Sequence, residues 1–295
     1  MAERSVPTKS VIGVIGGSGV YQIEGLADAE WRRIESPWGL PSDELLFGQL
    51  GETEMVFLPR HGRSHRVSPT DINYRANIDV LKRAGVTDVL SVSACGSFKR
   101  ELAPGTFVLV DQFIDRTFAR SKSFFGQGCV AHVSMAHPVC PRLVDALHAA
   151  ATGIGLTVFR GGTYLAMEGP QFSTKAESLL YKSWGCDVIG MTNMPEAKLA
   201  REAELPYATV AMVTDYDCWI EDEAHVEVTS VLEVLRGNAE KARALVAQVA
   251  GALGPTRAPS PIGADRALDG AILTAPDARD PDLMRKLDAV AGRVL

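Results

Sequence analysis

Short apolar runs alternate with segments of helical periodicity along most of this chain, and this alternation limits the possible folds more than any other feature. Residues 11–15, 55–58 and 86–92 have the length and composition of buried strands. Between the last two, residues 73–84 carry apolar side chains at helical spacing and stop at a glycine. Strands that alternate with helices form parallel or mixed sheets covered by helices. We therefore predict an α/β fold with a central mixed, twisted sheet flanked by helices.

Composition favours a globular protein and disfavours several classes of partner. At 295 residues with 46% hydrophobic content, the chain is long enough to form a large core. Its formal net charge of −6 disfavours a general nucleic-acid binder, and no apolar run has the length of a membrane span. Five scattered cysteines without a CxxC pair, and a polar N-terminus without a secretory leader, predict a reducing, cytoplasmic setting.

Ligand-type groups follow five of the apolar runs, at the points where the predicted strands end. In open α/β sheets, ligands bind beyond the carboxyl ends of the strands. The five groups are residues 16–19, Arg60 with His61, Ser93 with Ala94, Met191 with Thr192, and Asp215 with Asp217. If these ends converge, they predict one pocket with a phosphate half and a half for an aromatic base, on which Phe172 can stack.

The phosphate half is predicted from a glycine-rich turn and a cationic loop. Backbone N–H groups of residues 16–19 can converge on an anion, and the Ser18 hydroxyl adds a donor, although a tight structural turn explains this motif equally well. Arg60, His61 and Arg63 belong to a loop of three arginines and two histidines, and guanidinium groups can fork onto phosphate oxygens. Charge runs are more often solvated turns, but the preceding apolar strand favours a site.

The base half is predicted from Asp215 and Asp217, which follow the apolar residues 208–213. In an extended chain, two carboxylates at this spacing share a face. They can accept hydrogen bonds from ligand N–H groups or protonate a leaving group, whereas the alternative is that Asp217 caps the following turn. A phosphate site beside a base-sized slot predicts a nucleoside and phosphate as ligands. The absence of GxxxxGK[ST] disfavours a P-loop phosphotransferase, and the chain also contains neither a GxSxG nucleophile elbow nor an HExxH motif.

The sequence also resembles the trimeric purine nucleoside phosphorylase family, in motifs that follow the family's order. The matching motifs are IGGSG (15–19), LPRHGR (58–63), INYRAN (72–77), SACGS (93–97), DQFIDRT (111–117), EGPQFS (168–173), IGMT (189–192) and TDYDCW (214–219). The resemblance implies a single nucleoside phosphorylase domain over residues 1–253. Residues 254–295 form a C-terminal extension without an assigned role, predicted as a linker, a short strand at 271–274 and a helix at 281–294.

The family implies phosphorolysis of 5′-methylthioadenosine, in which phosphate releases adenine and forms 5-methylthioribose 1-phosphate in methionine and purine salvage. Phosphate is then the nucleophile and a co-substrate, and neither a cofactor nor a metal is needed. Breaking the N-glycosidic bond builds oxocarbenium charge on the ribose, which the phosphate dianion stabilises, and negative charge on the purine. Asp215 is implied to assist at purine N7, as a protonated carboxyl or through a shared proton.

The resemblance also assigns the site residues. Those of the phosphate site are Ser18, Arg60, His61, Ser93, Ala94 and Thr192. Those of the nucleoside site are Phe172 against the base, Met191 against the ribose, Asp215 at N7, Asp217 at the 6-amino group, and Val228 and Val231 around the methylthio group. His132 matches a residue that reaches a neighbouring subunit's site, which implies a homotrimer, with no nucleic-acid or membrane partner.

Base specificity depends on Asp215 and on Ser173, which stands where 6-oxopurine relatives carry a glutamate. A carboxylate accepts from a 6-amino group and repels a 6-oxo group unless it is protonated, so adenine is favoured. Three alternatives stay open: a phosphorylase of 6-oxopurine or methylthioinosine specificity, a nucleoside-binding sensor without turnover, and a dinucleotide oxidoreductase. The intact Asp215, Arg60 and His61 disfavour the sensor, and the absence of GxGxxG disfavours the oxidoreductase.

Overall fold

The computed structural model describes residues 8–17, 19–220 and 228–295, with the backbone alone for residues 228–231. The strands of the described residues are β1 (Val11–Gly16), β2 (Ala27–Arg32), β3 (Leu45–Leu50), β4 (Thr53–Pro59), β5 (Asp88–Ser97), β6 (Phe107–Leu109), β7 (Gln112–Arg116), β8 (Val158–Arg160), β9 (Thr163–Met167), β10 (Val188–Gly190) and β11 (Tyr207–Asp215). The α-helices are α1 (Tyr74–Arg83), α2 (Pro141–Gly153), α3 (Lys175–Ser183), α4 (Asn193–Glu202), α5 (Val228–Leu253) and α6 (Pro281–Lys286). Strands and helices therefore alternate from β4 to α5, as predicted.

The strands form one mixed sheet, which confirms the predicted α/β architecture. Its main path runs β2-β3-β4-β1-β5-β10-β9-β7, and β11, β6 and β8 branch from it at β5. β1 is parallel to β4 and β5, and β11 is parallel to β5, whereas β10 is antiparallel to β5. Because β1, β4, β5 and β11 run in the same direction, their carboxyl ends lie at one edge of the sheet, where a ligand site is expected.

β5 is the branch point because three strands pair with it. β1 pairs with its first residues on one edge, and β11 pairs with residues 89–96 on the other. The last two residues, Gly96 and Ser97, pair with the antiparallel β10. β10 therefore runs back along β5, so that the residues after it return towards Ser93, whose hydroxyl bonds to Asn193 at 3.0 Å. β10 is short, so the residues that follow it remain close to the carboxyl-terminal part of β5 although the two strands are antiparallel.

Apolar side chains on the two faces of the sheet form two buried clusters. In β1, Val11 and Ile15 belong to the cluster that contains side chains of α1 and α4. Ile12 and Val14, which alternate with them, belong to the cluster that contains side chains of α2 and α5. Each face of the sheet is therefore covered by helices. Among the residues that the structure describes, no helix, including the 26-residue α5, is long and apolar enough to cross a membrane.

The C-terminal residues 254–295 pack into the first of these clusters. Leu268, Leu287 and Val290 are each 1% exposed or less. The predicted helix at 281–294 is shorter than expected, because α6 ends at Lys286 and the following turns direct Leu287 and Val290 into the core. The predicted strand at 271–274 is wrong as well, since this segment forms only an isolated bridge between Ile272 and Ala131.

Candidate functional site

The glycine-rich turn and the cationic loop lie side by side at the ends of β1 and β4. The carbonyl of Gly16 accepts a hydrogen bond from the backbone N–H of Arg60 at 2.9 Å. Ser18, the predicted hydroxyl donor of this turn, lies outside the described residues. The side chains of Val228 and Val231, predicted to surround the methylthio group, also lie outside them. These three assignments stay predictions.

Arg60 is buried and bonded to protein groups. It is 1% exposed, and its guanidinium pairs with Glu196 through Nε at 2.8 Å and Nη2 at 3.1 Å. It also donates to the Val92 carbonyl at 2.9 Å and to the Ser91 hydroxyl at 2.6 Å. Burial opposes the charge, but Glu196 outweighs burial and raises the pKa of Arg60 above its ordinary value. The Arg60 guanidinium, which the sequence assigns to phosphate oxygens, therefore donates to the carboxylate of Glu196. Direct phosphate binding by Arg60 stays a prediction.

From Glu196, buried hydrogen bonds continue to Ser93, another predicted phosphate residue. The Tyr207 hydroxyl donates to Glu196 at 2.9 Å. Asn193 Nδ2 donates to the Tyr207 oxygen at 3.1 Å, and Asn193 Oδ1 accepts from Ser93 Oγ at 3.0 Å. We call these five residues, Arg60, Glu196, Tyr207, Asn193 and Ser93, the polar relay. Each of them is 5% exposed or less, so the relay joins the ends of β4 and β5 to the start of α4 inside the core.

His61 is held in one tautomer at the side of the relay. Its Nδ1 lies 2.9 Å from the carbonyl oxygen of Val67, and its ring stacks on His65 with a centroid distance of 4.3 Å. A carbonyl can only accept, so Nδ1 carries the proton and Nε2 keeps its lone pair when the ring is neutral. Burial, and then the charge of Arg60, lower the pKa of His61 to about 4. His61 is therefore a neutral imidazole at neutral pH.

Met191 and Thr192 follow β10 and are fixed by a buried arginine from a distant loop. Arg120 donates to the Met191 carbonyl at 2.5 Å and to Glu168 at 2.9 Å, and its side chain is 1% exposed. Burial opposes the charge of Glu168, but backbone N–H groups of residues 118–119 and the Arg120 side chain outweigh it and lower the pKa of Glu168 to about 2. Thr192 is buried and makes no capping bond with its hydroxyl.

Arg120 therefore holds the segment that carries Thr192 by donating to the carbonyls of Met191 and Met194 on either side of it. Ala94, which follows Ser93 on β5, is partly exposed at the same edge of the sheet.

Asp215 and Asp217 lie together at the end of β11, but their carboxylates have different surroundings. Asp215 accepts hydrogen bonds from the Thr214 hydroxyl at 2.7 Å and from the backbone N–H of Asp217 at 2.8 Å. Asp217 has a left-handed backbone with φ of 53°, which turns its side chain away from the strand direction. Its Oδ2 is buried and has no hydrogen-bond partner among the described residues. Burial, together with the charge of Asp215, raises the pKa of Asp217.

The loop that carries Phe172 meets the Asp217 turn. Cys218 Sγ donates to the Ser173 carbonyl at 3.3 Å, which joins the two segments. Phe172 is 45% exposed, so one part of its ring is open to a ligand. Behind Asp217, the fully buried Ser178 of α3 lies close enough to lower the pKa of that carboxyl, although its Oγ makes no hydrogen bond of good geometry among the described residues. The predicted base residues are therefore neighbours.

His132 lies apart from the residues above. It is exposed, its backbone N–H donates to the Ala271 carbonyl at 3.0 Å, and it lines a separate surface cavity of about 410 Å³ with Lys198 and Glu202. Burial raises the pKa of Glu202 in this cavity to about 7. Within one chain, His132 is not brought to the site, so its assignment to a neighbouring subunit's site stays a prediction.

Sequence reasoning missed the residues that hold the site together. These are Asn193 and Glu196 at the start of α4, Arg120 in the loop after β7, and Ser178 on α3. For Asn193, Glu196 and Arg120, the available signal was a charged or amide residue within a few positions of a predicted strand end, and Ser178, inside a helix, offered no signal. That signal is weak, because the same residue types normally lie at solvated helix starts.

Comparison with known proteins identifies the family. Residues 11–250 match the family model described as the phosphorylase superfamily.

The chain belongs to the phosphorylase superfamily.

Within the phosphorylase superfamily, the chain is similar to S-methyl-5′-thioadenosine phosphorylase of Cereibacter sphaeroides. The two are 66% identical over 287 residues, which cover 97% of this chain and 99% of the relative. Among solved structures, it is similar to a methylthioadenosine phosphorylase from an antarctic soil metagenomic library, with a TM-score of 0.90, 42% identity, and coverage of 96% of this chain and 99% of the other. A Schistosoma mansoni methylthioadenosine phosphorylase in complex with adenine matches with a TM-score of 0.79, 37% identity, and coverage of 82% and 91%.

Proposed function

We propose that this protein catalyses the phosphorolysis of 5′-methylthioadenosine to adenine and 5-methylthioribose 1-phosphate. The names of its relatives, at up to 66% identity, support this activity. The structural observation that carries it is the buried Oδ2 of Asp217, which makes no hydrogen bond of good geometry among the described residues and belongs to a turn that is joined to the Phe172 loop through Cys218 and Ser173. The Ser178 and Ser173 hydroxyls lie near this carboxylate, and a buried acceptor without a well-placed donor is suited to a ligand N–H group, such as the 6-amino group of adenine.

Phosphate is the nucleophile in this proposal, and it binds at the ends of β1, β4 and β5 beside Thr192. Its charge stabilises the oxocarbenium character that develops on the ribose. Ser93, His61 and Thr192 are the described residues whose side chains line this half, together with the backbone of Ala94 and the turn that contains Ser18. The relay behind Ser93 holds the half in place before phosphate arrives, which reduces the reorganisation needed in the transition state.

The purine occupies the other half, stacked on Phe172 with Met191 against the ribose. Asp215 assists at N7, where negative charge develops as the glycosidic bond breaks. Asp217 accepts from the 6-amino group, and its raised pKa reflects the burial that a bound base would increase. Val228 and Val231 surround the methylthio group, as the resemblance implies.

The proposal extends to the assembly and its setting. Residues 1–253 act as the catalytic domain of a homotrimer, in which His132 contributes to a neighbouring site. Support comes from the exposure of His132 and from exposed apolar side chains nearby, since Leu273 is 67% exposed and its backbone bonds to Val130. The five cysteines are all free thiols, which supports a reducing, cytoplasmic setting. No cofactor or metal takes part, and the substrates are small molecules.

The test is adenine release from 5′-methylthioadenosine, measured with and without phosphate and compared with methylthioinosine and inosine. We expect phosphate-dependent release of adenine and little action on the two inosines. Preference for methylthioinosine would contradict the role given to the two aspartates. No turnover on any of these nucleosides would overturn the proposed activity.

A further inference from the structure

The polar relay has a definite direction, because its first two members each have only one hydrogen-bonding role. The guanidinium of Arg60 can only donate, and the carboxylate of Glu196 can only accept. Glu196 receives two hydrogen bonds from Arg60 and a third from the Tyr207 hydroxyl. The single proton of Tyr207 therefore points at Glu196.

The direction passes from Tyr207 to Asn193. Since the Tyr207 proton is used, its oxygen can only accept from the side chain of Asn193, so the atom that lies 3.1 Å away must be the amide nitrogen. The same nitrogen donates to Thr209 Oγ1 at 2.6 Å. Asn193 therefore turns its carbonyl oxygen, and not its nitrogen, towards Ser93.

Ser93 completes the sequence of fixed roles. Its hydroxyl has one proton, and Asn193 Oδ1 receives that proton at 3.0 Å. Ser93 Oγ is then left with lone pairs alone. The fully buried Tyr164 hydroxyl, whose pKa burial raises, lies close to Ser93 and makes no hydrogen bond of good geometry among the described residues, so its proton can take one of these lone pairs. The other remains for a ligand.

We infer that Ser93 meets phosphate as a hydrogen-bond acceptor, and that Tyr207 and Asn193 are positioning residues that set this polarity. The inference rests on the proposed function and gives Ser93 the opposite role from the one that a hydroxyl usually has towards an anion, which is to donate. The ligand group that fits a lone pair is the P–O–H of monohydrogen phosphate. Sulfate has the same shape and charge but no proton at neutral pH, so the site discriminates against it.

Two variants separate the polarity of the relay from its contribution to stability. In Tyr207→Phe, nothing holds Asn193 in its orientation, and the amide can turn its nitrogen to Ser93 while Thr209 donates to the carbonyl oxygen. Ser93 then regains its proton as a donor. In Thr209→Val, Asn193 loses a shorter hydrogen bond, but Tyr207 still fixes its orientation.

The measurement is the inhibition constant of sulfate against phosphate divided by the KM of phosphate, from adenine release at a pH where phosphate is mainly the monohydrogen dianion. We expect a ratio of about 10 or more in the wild-type protein, roughly the effect of one lost hydrogen bond in a buried site. The ratio should fall by about fivefold or more in Tyr207→Phe and stay within about twofold in Thr209→Val.

A ratio that is unchanged in Tyr207→Phe, or that falls equally in both variants, would overturn the inference. If Tyr207→Phe does not fold, Ser93→Ala gives the second test. Removal of the acceptor should weaken phosphate more than sulfate, and equal weakening of both anions would also overturn the inference. A wild-type protein without phosphate-dependent turnover is a different outcome, because it rejects the proposed function itself.

Discussion

The polar relay and the Asp217 turn differ in how completely their buried polar atoms are satisfied. In the phosphate half, all five members of the polar relay make hydrogen bonds to protein groups, and the buried Tyr164 hydroxyl beside them is the atom there without a partner of good geometry among the described residues. In the base half, Asp217 Oδ2 and Ser178 Oγ are buried without a partner of good geometry among the described residues. A satisfied buried network is rigid and specifies one arrangement, whereas each unsatisfied polar atom costs about 1–3 kcal/mol.

This difference indicates which hydrogen bonds form when the protein folds and which form when a ligand binds. The phosphate half is completed when the chain folds, since its stabilising contacts come from the protein alone. Under the proposed function, the base half is completed when a ligand N–H group donates to Asp217. Stability is therefore expected to be most sensitive to changes in the first half, and substrate choice to changes in the second.

The largest effect on stability is expected from Glu196→Gln. The substitution leaves the guanidinium of Arg60 buried without its counter-charge, so the free energy of unfolding should fall by about 3–5 kcal/mol in chemical denaturation. The matched control is Glu44→Gln, which breaks the exposed pair with Arg63 and should cost about 1 kcal/mol or less. Equal losses in the two variants would show that the buried Arg60–Glu196 pair contributes no more to stability than an exposed ion pair.

Asp215→Asn should affect rate instead of stability. If Asp215 assists at N7 as proposed, its removal should lower kcat by about 10²–10⁴-fold in the adenine-release assay. The fold should persist, because an amide oxygen can still accept from Thr214 or from the Asp217 backbone. Asp277→Asn, at an exposed position, serves as the control. A loss of less than about tenfold would argue against this role of Asp215.

The pH dependence of stability should report on His61 in the phosphate half. In the unfolded chain His61 binds a proton at its ordinary pKa of 6.5, whereas in the folded protein burial and the charge of Arg60 lower that pKa to about 4. Stability is therefore complete above about pH 6.5 and falls towards pH 4, by up to about 3 kcal/mol from this group. In His61→Asn, the amide can keep a donor for Val67, and this part of the slope should disappear.

The control for that experiment is His137→Asn, at an exposed position. Denaturation curves recorded from pH 4 to pH 7 compare the two variants with the wild-type protein. A slope that His61→Asn leaves intact would show that the folded-state pKa of His61 is close to its ordinary value.

The smallest effect on stability, and the clearest on specificity, is expected from Asp217→Asn. Because burial raises the pKa of Asp217, removal of its charge should leave the protein at least as stable above about pH 4. An amide can donate to a 6-oxo group, so the kcat/KM ratio of methylthioinosine to methylthioadenosine should rise by about tenfold. Destabilisation comparable to that of Glu196→Gln, with unchanged base preference, would contradict the comparison.

Much of the fold follows from local sequence patterns, because alternating apolar runs and helical segments are local features. The capping box at Thr174 and Glu177 is present at the start of α3, as the spacing predicts. The pattern of residues 156–167 predicts one strand with a bend at its two glycines, but the segment forms two strands: β8 pairs with β6, and β9 pairs with β7 and β10. Two glycines between them allow a turn that pattern alone cannot distinguish from a bend.

The site was predictable only in part, because the partner of each polar group depends on tertiary structure. The cationic loop correctly indicates a strand end at Arg60. The sequence does not show that Glu196, which is 136 positions away, occupies the guanidinium. Similarly, the pair Asp215 and Asp217 was evident as a motif, but the left-handed turn that gives Asp217 a different environment was not.

The branch at β5 has a consequence for the order in which this protein is made. On the ribosome, β5 emerges before β10 and β11, and β11 follows it by more than a hundred residues. Until then one edge of β5 is an unpaired template for wrong partners, and chains that end early keep it exposed. Ser93 lies on this same strand, so the pairing of β11 covers the exposed edge of β5 and completes the surroundings of Ser93 in the same late event.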